Sequence, residues 1–301
     1  MISNKQQIKS KLLEDKKITL FIKREDQLHP FISGNKYRKL KYNLNEAKKN
    51  NFDSIVTYGG AYSNHIAATA YAGKENNIKT VGVIRGEELA DKWQENPTLS
   101  FANANGMHFK FVSREWYRTK DKTTALQVLE AEFGQFYNLP EGGTNQLAVK
   151  GCQEILSDKD ESFDVICTAV GTGGTIAGII NSTKENQKVI GFPALKGDFL
   201  QKDIRKFTDK SNWSLNSDYN FGGYAKVSEE LIDFINDFKL VLNIPLDPIY
   251  TGKMMYGILD LIQKDYFKPG TKILAIHTGG LQGIAGMNTK LKKKNSPLLL
   301  L

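Results

Sequence analysis

The sequence predicts an α/β protein built from two open, mostly parallel twisted sheets that are flanked by helices, with the active site in the cleft between them. Three observations carry this prediction. Short β-rich runs alternate with stretches of helical spacing. The connections carry no hairpin signals, which indicates βαβ units. Several β-rich runs end in glycine-rich segments, and ligands of open α/β sheets bind at the carboxyl ends of strands.

In the first half of the chain, strands and helices are recognised by residue type and spacing. Segments such as Ser54 to Tyr58 (SIVTY) and Thr80 to Ile84 (TVGVI) are rich in β-branched residues. Leu40, Leu44 and Ala47 recur at helical spacing. Strands are therefore predicted at residues 18–23, 54–58, 80–84 and 109–112, and helices at 39–49, 66–73, 97–105 and 123–133.

A second series of strands and helices begins near residue 138. Strands are predicted at residues 164–170, 188–192 and 272–277, and helices at 146–156, from 176 onward, at 198–207, 228–242 and 254–264. The chain shows neither an internal repeat nor a low-complexity linker. At 301 residues it is long enough for about two domains and a large buried core.

The composition argues against several classes of function. The formal charge is +8, but the lysines are spread along the chain and form no basic stripe interleaved with aromatic residues. We therefore expect no nucleic-acid partner. Cys152 and Cys167 form neither a CxxC motif nor a disulfide framework, as expected in a reducing compartment. Because no apolar run approaches the ~20 residues of a membrane span, we expect a cytoplasmic protein with no membrane partner.

The segment from Ser33 to Leu40 (SGNKYRKL) joins a predicted strand to a predicted helix. Lys36 then lies where a loop enters a helix, and main-chain N–H groups and the helix dipole disfavour a protonated amine there. A lysine that loses its proton readily is a better nucleophile toward an aldehyde, as a Schiff-base lysine must be. Taken alone, Lys36 is better explained as a solvent-facing residue of a lysine-rich chain, so the other motifs decide the question.

Residues 171–175 (GTGGT) lie between a predicted strand and a predicted helix. Glycines allow close approach of the backbone, and successive N–H groups at a helix start bind a phosphate. A dinucleotide site would need a third glycine where Ile176 stands, and a Walker loop would need a following Gly-Lys-Ser/Thr. The motif therefore indicates a phosphate group on a non-nucleotide cofactor, with a plain tight turn as the alternative.

Ser63 and Asn64 also follow a predicted strand and a double glycine. Ser63 could donate a hydrogen bond or act as a nucleophile, and the amide of Asn64 could bind a flat ligand. A helix N-cap is the structural alternative. No Asp–His partner supports a serine-hydrolase triad. The four histidines have no metal-ligand spacing, so we expect no metal site.

Together, a lysine at a loop–helix junction, a compact phosphate loop and a Ser-Asn pair resemble a pyridoxal-phosphate enzyme. The chain resembles the 1-aminocyclopropane-1-carboxylate deaminase/D-cysteine desulfhydrase family, which has the tryptophan-synthase-β-like fold. The matching segments lie in the family order across nearly the whole chain: IKRED (22–26), SGNKYRKL (33–40), GGAYSNH (59–65), PEGGTN (140–145), GTGGTIAG (171–178), GGY (222–224), DPIYTGK (247–253) and HTGG (277–280). The resemblance implies pyridoxal 5'-phosphate as cofactor, a small amino acid as substrate and a homodimer. It also implies a larger cofactor-binding domain (1–38 plus 139–301) and a smaller inserted domain (39–138).

The resemblance also implies roles for individual residues. Lys36 corresponds to the lysine that holds the cofactor covalently and later removes the α-proton of the substrate. Ser63 corresponds to the active-site serine, and Asn64 to the amide that binds the 3-oxygen of the cofactor. The other implied residues are two catalytic tyrosines, Tyr224 and Tyr250, the cofactor-binding residues Asn35, Gly171, Thr172, Gly173, Gly174, Thr175, Thr251 and Thr278, and the substrate-binding residues Tyr62, Ser63 and Asn64.

Thr251 and Thr278 fall where the two subtypes of the family differ. In the deaminases these positions resemble Glu and Leu, whereas D-cysteine desulfhydrases carry Thr at both. A carboxylate beside the pyridine nitrogen favours its protonation, which suits the opening of a cyclopropane ring. A threonine side chain can only form a hydrogen bond with this nitrogen. Elimination of thiolate needs less electron withdrawal by the pyridine ring than ring opening does. The pair therefore predicts a lyase that converts a D-amino acid such as D-cysteine to pyruvate, ammonia and sulfide.

Tyr62 departs from the family, whose two subtypes usually carry Gln at this position in the substrate carboxylate pocket. This departure bears on the identity of the substrate and leaves three alternatives open. They are ring-opening deamination of 1-aminocyclopropane-1-carboxylate to 2-oxobutyrate and ammonia, β-replacement as in cysteine synthesis, and a pyridoxal-phosphate-binding protein without turnover.

Overall fold

The computed structural model describes residues 2–197 and 199–300. Within them the strands are β1 (Lys5–Ile8), β2 (Thr19–Lys23), β3 (Ser54–Gly59), β4 (Lys79–Arg85), β5 (Met107–Val112), β6 (Tyr137–Leu139), β7 (Val165–Val170), β8 (Lys188–Pro193), β9 (Trp213–Leu215) and β10 (Lys272–Ile276). The α-helices are α1 (Lys11–Asp15), α2 (Asn35–Lys49), α3 (Asn64–Asn76), α4 (Pro97–Ala104), α5 (Arg114–Arg118), α6 (Thr123–Phe133), α7 (Gln146–Gln153), α8 (Gly174–Ser182), α9 (Phe199–Arg205), α10 (Glu229–Leu242), α11 (Thr251–Gln263) and α12 (Gly283–Lys292).

The strands form two sheets. One has six strands in the order β1-β2-β10-β7-β8-β9, and the other has four in the order β5-β4-β3-β6. Among the described residues, every neighbouring pair is parallel except β1 with β2, which is antiparallel. The predicted fold class, two open and mostly parallel sheets flanked by helices, is confirmed.

The central strands of both sheets are buried on both faces. All six residues of β3 and all six of β7 are buried, as parallel sheets require when crossover helices cover both faces. On the helix side, α2 buries Leu40, Leu44 and Ala47, the three residues whose spacing predicted it. Within the part of the chain that the structure describes, no helix is long and apolar enough to cross a membrane.

Most predicted elements agree with the structure to within a few residues. Helices α2 and α11 begin earlier than predicted, at Asn35 and Thr251, because polar first turns do not show the apolar period. The predicted helix at 198–207 starts on residue 198, which lies outside the described residues, and α9 is described from Phe199. Strands β1, β6 and β9 were not predicted because so few residues carry little periodicity. Helix α12 was missed because its glycines lower helix propensity.

The chain leaves the six-stranded sheet after β2 and returns to it at β7, while β3 to β6 form the four-stranded sheet. Strand β10 lies between β2 and β7 and so joins the two ends of the chain in one sheet. The exact domain boundaries proposed at residues 38 and 138 stay a prediction.

A buried ion pair fixes the start of α2. Arg38 Nε donates to Glu25 Oε2 at 2.9 Å, and Arg38 Nη2 donates to Glu25 Oε1 at 3.1 Å. Arg38 is 2% exposed and Glu25 is fully buried. Charges buried to this extent depend on their partners, so the pair ties the helix that carries Lys36 to the turn after β2.

Candidate active site

A cavity of about 820 Å³ lies where the carboxyl ends of the two sheets meet. The segments after β7 and β10 line it from the six-stranded sheet, and those after β3, β4, β5 and β6 line it from the four-stranded sheet. Its volume is within the ~300–1,000 Å³ of small-molecule sites. The cavity is therefore where the topology predicts a ligand.

The loop before α2 approaches the segment after β10 too closely for any residue but glycine. Gly34 has a φ of 61°, and a methyl group there would lie 1.9 Å from the carbonyl oxygen of Thr278. Helix α2 therefore begins at Asn35, and Lys36 lies in its first turn. Lys36 Nζ donates to the carbonyl oxygen of Gly142 at 3.1 Å, which places it between the two sheets.

A second lysine, Lys39, which the sequence interpretation did not single out, reaches the same point. Its Nζ donates to the carbonyl oxygen of Gly142 at 3.0 Å and to Thr144 Oγ1 at 2.9 Å, and it lies 3.4 Å from Thr172 Oγ1. Only 2% of Lys39 is exposed. Its spacing of three residues from Lys36 was the available signal, since such side chains share a helix face.

Burial and mutual repulsion set the protonation of the two lysines. Burial lowers the pKa of Lys36 well below its usual value, and the charge of Lys39 lowers it further. Burial also lowers the pKa of Lys39, to about 8. At neutral pH Lys39 is therefore mostly an ammonium ion, while Lys36 more readily gives a free amine. The low pKa predicted for Lys36 agrees with the structure, but its main cause is burial and not the helix start.

Residues 171–175 form a turn from β7 into α8 in which neighbouring side chains closely approach two glycines. A methyl group on Gly171 would lie 3.2 Å from the hydroxyl of Tyr250, and one on Gly174 would lie 2.9 Å from Thr144 Cγ2. These approaches are closer than ordinary van der Waals contact. The close packing explains why the segment needs more glycine than a plain tight turn.

The donors around this turn suit a phosphate group. Helix α8 begins at Gly174, so its first N–H groups have no partner within the helix. Asn35 Nδ2 donates to Thr175 Oγ1 at 2.7 Å, which positions that hydroxyl. The Lys39 ammonium and the Thr172 hydroxyl lie beside each other. Main-chain donors, hydroxyls and one cation are the groups that bind phosphate at helix starts.

Ser63 and Asn64 lie at the start of α3, in the cavity wall. Ser63 is the N-cap of this helix, and its Oγ accepts from the Ile66 N–H at 3.4 Å. The structural alternative drawn from the sequence is thus present, although the same residue also lines the cavity. Asn64 Oδ1 is buried and has no hydrogen-bond partner among the described residues. A buried amide oxygen without a partner indicates that a ligand completes its bonds.

Tyr62 packs against α12. A methyl group on Gly286 would lie 2.4 Å from Tyr62 Cδ1, so only glycine leaves room for the ring. Lys290 Nζ lies 5.0 Å from the centre of the same ring, within the range of a cation–π contact. The ring at this position therefore connects the segment after β3 to a helix that follows β10.

Tyr224 and Tyr250 come together in the cavity wall, with ring centroids 6.3 Å apart. Tyr224 lies in a loop held by Lys253, whose Nζ donates to the carbonyl oxygens of Asn220 and Gly223, both at 2.8 Å. Burial raises the pKa of Tyr250 well above its usual value. The phenol of Tyr250 is therefore protonated at neutral pH and can donate a hydrogen bond.

The two threonines that distinguish the subtypes have different surroundings. Thr278 lines the cavity. Thr251 is fully buried, donates to Asp247 Oδ1 at 2.7 Å and accepts from the Asp247 N–H at 2.8 Å. Its hydroxyl is thus engaged at the start of α11. The structure brings Thr278 to the cavity wall but does not bring Thr251 there.

His65, which also borders the cavity, is a buried core residue. Its Nε2 lies 2.7 Å from Thr57 Oγ1, and burial lowers its pKa well below the usual value, so it is neutral. Cys152 and Cys167 are buried free thiols. Across the described residues, no group of three or more His, Cys, Asp or Glu side chains is placed to hold a metal ion.

Known proteins similar to this chain have the cofactor chemistry that the cavity suggests. The profile of the pyridoxal-phosphate dependent enzyme family matches residues 5–279. The chain is 33% identical over 297 residues to the bifunctional D-cysteine desulfhydrase/1-aminocyclopropane-1-carboxylate deaminase, mitochondrial, of Arabidopsis thaliana, covering 88% of this chain and 73% of that protein. It is 27% identical over 288 residues to the D-cysteine desulfhydrase of Klebsiella pneumoniae, covering 87% and 86%. A crystal structure of an ACC deaminase homologue matches with a TM-score of 0.82 at 27% identity, covering 97% of this chain and 94% of that chain.

The residues present fit the cofactor of this family. The turn before α8 offers phosphate donors beside Lys39, Asn64 has an unused buried oxygen, and Lys36 supplies an amine of lowered pKa. The family profile also spans most of the chain. The chain is therefore a pyridoxal-phosphate-dependent enzyme and belongs to the 1-aminocyclopropane-1-carboxylate deaminase/D-cysteine desulfhydrase family.

Proposed function

We propose that the enzyme is a D-cysteine desulfhydrase, a lyase that converts D-cysteine and water to pyruvate, ammonia and hydrogen sulfide. The observation that carries the proposal is the pair Thr251 and Thr278, of which Thr278 lines the cavity. The deaminases resemble Glu at the first position and Leu at the second, so in this chain the position of Thr251 supplies no carboxylate to favour protonation of the pyridine nitrogen. Elimination of sulfide needs less of that assistance than ring opening does.

When bound, pyridoxal phosphate withdraws electrons from the α-carbon of the amino acid and so weakens its C–H bond. Lys36 is the residue that would hold the cofactor covalently, and its Nζ, once free, would remove the α-proton of the substrate. Its lowered pKa suits this role, because a general base must be unprotonated at the working pH.

The turn before α8 would hold the cofactor phosphate. The main-chain N–H groups of Gly173, Gly174 and Thr175, the Thr172 hydroxyl and the Lys39 ammonium are the donors that would bind it. Asn35 acts through the hydroxyl of Thr175, to which it donates at 2.7 Å. Gly171 leaves room for Tyr250, as the close approach of the two residues requires.

The substrate carboxylate binds at the start of α3. The first N–H groups of a helix attract an anion, and Ser63 and Asn64 lie there at the cavity wall. The segment that includes Tyr62 borders the same place. Tyr250 stays protonated because burial raises its pKa, so together with Tyr224 it can orient the substrate by donating a hydrogen bond.

The first test is an activity measurement with the cofactor-loaded enzyme. D-Cysteine should yield pyruvate and sulfide in equal amounts, and 1-aminocyclopropane-1-carboxylate should yield 2-oxobutyrate more slowly. L-Cysteine is the matched control for stereochemistry. Faster formation of 2-oxobutyrate would contradict the proposal in favour of ring opening. Cysteine formed from O-acetylserine and sulfide would indicate β-replacement, and normal cofactor absorbance with no product from any amino acid would indicate a binding protein.

A second test concerns Lys39 and the pH dependence of cofactor binding. Lys39→Gln should weaken binding of pyridoxal phosphate about tenfold or more, since a charge-assisted hydrogen bond contributes ~1.5–3 kcal/mol. In the unmodified enzyme the ammonium is lost as the pH rises through its pKa of about 8. The dissociation constant should therefore increase above this pH, and the increase should be absent in the variant.

The binding is measured by equilibrium dialysis across the pH range, with pyridoxal as the matched control ligand. Pyridoxal lacks the phosphate but reacts with Lys36 in the same way, so any effect of Lys39→Gln through the pKa of Lys36 is shared by both ligands. The variant should therefore weaken the binding of pyridoxal phosphate about tenfold more than that of pyridoxal. Equal weakening of both ligands would contradict a phosphate contact for Lys39. A cytoplasmic location and a homodimer stay predictions.

A further inference from the structure

Arg85 is a cation in the cavity wall that has no acid to neutralise it. It is the last residue of β4 and lines the cavity. Within residues 2–197 and 199–300 it makes a cation–π contact but neither an ion pair nor a hydrogen bond. Arginine remains charged at every physiological pH. Arg85 is therefore free to bind an anion in the site.

The position of Arg85 is defined by two neighbours. Its Cζ lies 5.5 Å from the ring centre of Tyr117, a residue that is only 3% exposed. A methyl group on Gly60 would lie 3.6 Å from Arg85 Nη2, so the guanidinium borders the segment that leads to Ser63. The field of Arg85 also reaches the other sheet: burial raises the pKa of Tyr224, and the charge of Arg85 partly opposes that rise.

The two acids that line the same part of the cavity, Glu88 and Glu141, are paired with other cations. Glu88 lies 3.4 Å from Arg114, and Glu141 lies 3.3 Å from Lys120. Arg118 also lines the cavity and, like Arg85, has no acidic partner in the described part of the chain. The side chains that line the cavity from β4, α5 and the segment between them therefore include three arginines, Arg85, Arg114 and Arg118, and one acid, Glu88.

We propose that Arg85, assisted by Arg118, binds a second acidic group of the substrate. The preferred substrates are then amino acids whose β-substituent carries a negative charge, such as a phosphate or sulfate monoester, and D-cysteine is a smaller substrate of the same reaction. The first N–H groups of α3 are already assigned to the α-carboxylate. A guanidinium offers paired donors that match a second carboxylate, phosphate or sulfonate.

The inference rests on the proposed β-elimination, and its chemistry balances without an oxidant or reductant. With O-phosphoserine, the α-proton goes to Lys36 Nζ, and the Cβ–O bond breaks with its electron pair leaving on phosphate. Addition of water to the three-carbon fragment then gives pyruvate and ammonia. Phosphate replaces sulfide as the leaving group, and nothing else in the reaction changes.

The test compares O-phospho-D-serine with β-chloro-D-alanine, which has an uncharged β-substituent. In the cofactor-loaded enzyme, Arg85→Met should lower kcat/KM for O-phospho-D-serine about 10- to 100-fold and change that for β-chloro-D-alanine less than about threefold. Arg85→Lys should restore part of the loss, since it keeps the charge but not the paired donors. The matched control is Arg205→Met, because Arg205 also lies over an aromatic ring, 5.1 Å from the centre of Trp213, but does not line the cavity.

An equal fall for both substrates would overturn the inference, because Arg85 would then act on the α-carboxylate that they share. No fall for either would overturn it as well. If the unmodified enzyme releases pyruvate from neither substrate, the proposed elimination is wrong. Calorimetry then still tests whether Arg85 binds a second acidic group. Succinate should then bind the cofactor-loaded protein more tightly than butyrate, and Arg85→Met should remove the difference. Equal binding of the two acids would refute the site.

Discussion

Lys36→Ala should abolish turnover of D-cysteine, with kcat lower by about 10³-fold or more. The substitution removes both the amine that holds the cofactor and the proposed base for the α-proton. Pyridoxal phosphate should still bind through its phosphate, but it should no longer be trapped covalently by borohydride. Pyruvate release measures the first effect, and intact-protein mass after borohydride reduction measures the second.

Lys41→Ala is the matched control for Lys36→Ala. Lys41 lies on the same helix, α2, but its side chain is 41% exposed and pairs with Glu154 at 2.7 Å. This control should keep full turnover and a covalent adduct after reduction. Retained turnover in Lys36→Ala, or an adduct on another lysine of that variant, would refute the assignment of Lys36.

Arg38→Met should destabilise the enzyme by about 3–5 kcal/mol, because it leaves the buried carboxylate of Glu25 without its cation. The two hydrogen bonds measure 2.9 and 3.1 Å, and both residues are almost completely buried. We therefore expect the loss of stability to lie in the upper part of this range. Urea unfolding with excess cofactor measures the loss in the free energy of unfolding.

Two further variants separate the loss of charge balance from the loss of contacts at Arg38. Arg38→Met combined with Glu25→Leu removes both charges and should recover most of the lost stability. Lys41→Ala breaks an exposed pair and should cost less than about 1 kcal/mol. If the double variant is as unstable as Arg38→Met alone, packing and not the unpaired carboxylate accounts for the effect.

The sequence predicted those parts of the fold whose signals are local. Strands β3 and β7 read as continuous β-branched runs because parallel strands are buried on both faces. Helix α2 was recognised from the period of Leu40, Leu44 and Ala47, which the structure buries. Strands as short as β6 and β9 could not be recognised, since a few residues at a sheet edge owe their state to the neighbouring strand.

Among the candidate site residues, the turn at 171–175 was proposed from its local motif, whereas Lys36 was proposed only when the other motifs and the resemblance were added. Lys39 was missed because its burial depends on the turn after β6, which supplies Gly142 and Thr144. The surroundings of Thr251 were also beyond the sequence, because nothing local showed that its hydroxyl is engaged by Asp247. Lys253 was also not recognised, because its contacts are with the carbonyl oxygens of Asn220 and Gly223, in a loop that precedes α10.

By itself the sequence predicted the fold class, and its motifs together with the resemblance pointed to Lys36 and to the turn at 171–175, whose roles stay predictions. Residue type and spacing encode whether a segment is helix or strand and whether a backbone can approach a phosphate. Only the tertiary structure decided that Lys36 owes its low pKa to burial beside Lys39 and that Thr278 and not Thr251 lines the cavity. It also decided that Arg85 forms no ion pair with an acid among the described residues. Protonation, access and charge balance depend on which distant segments meet, and that depends on the order of strands in the two sheets.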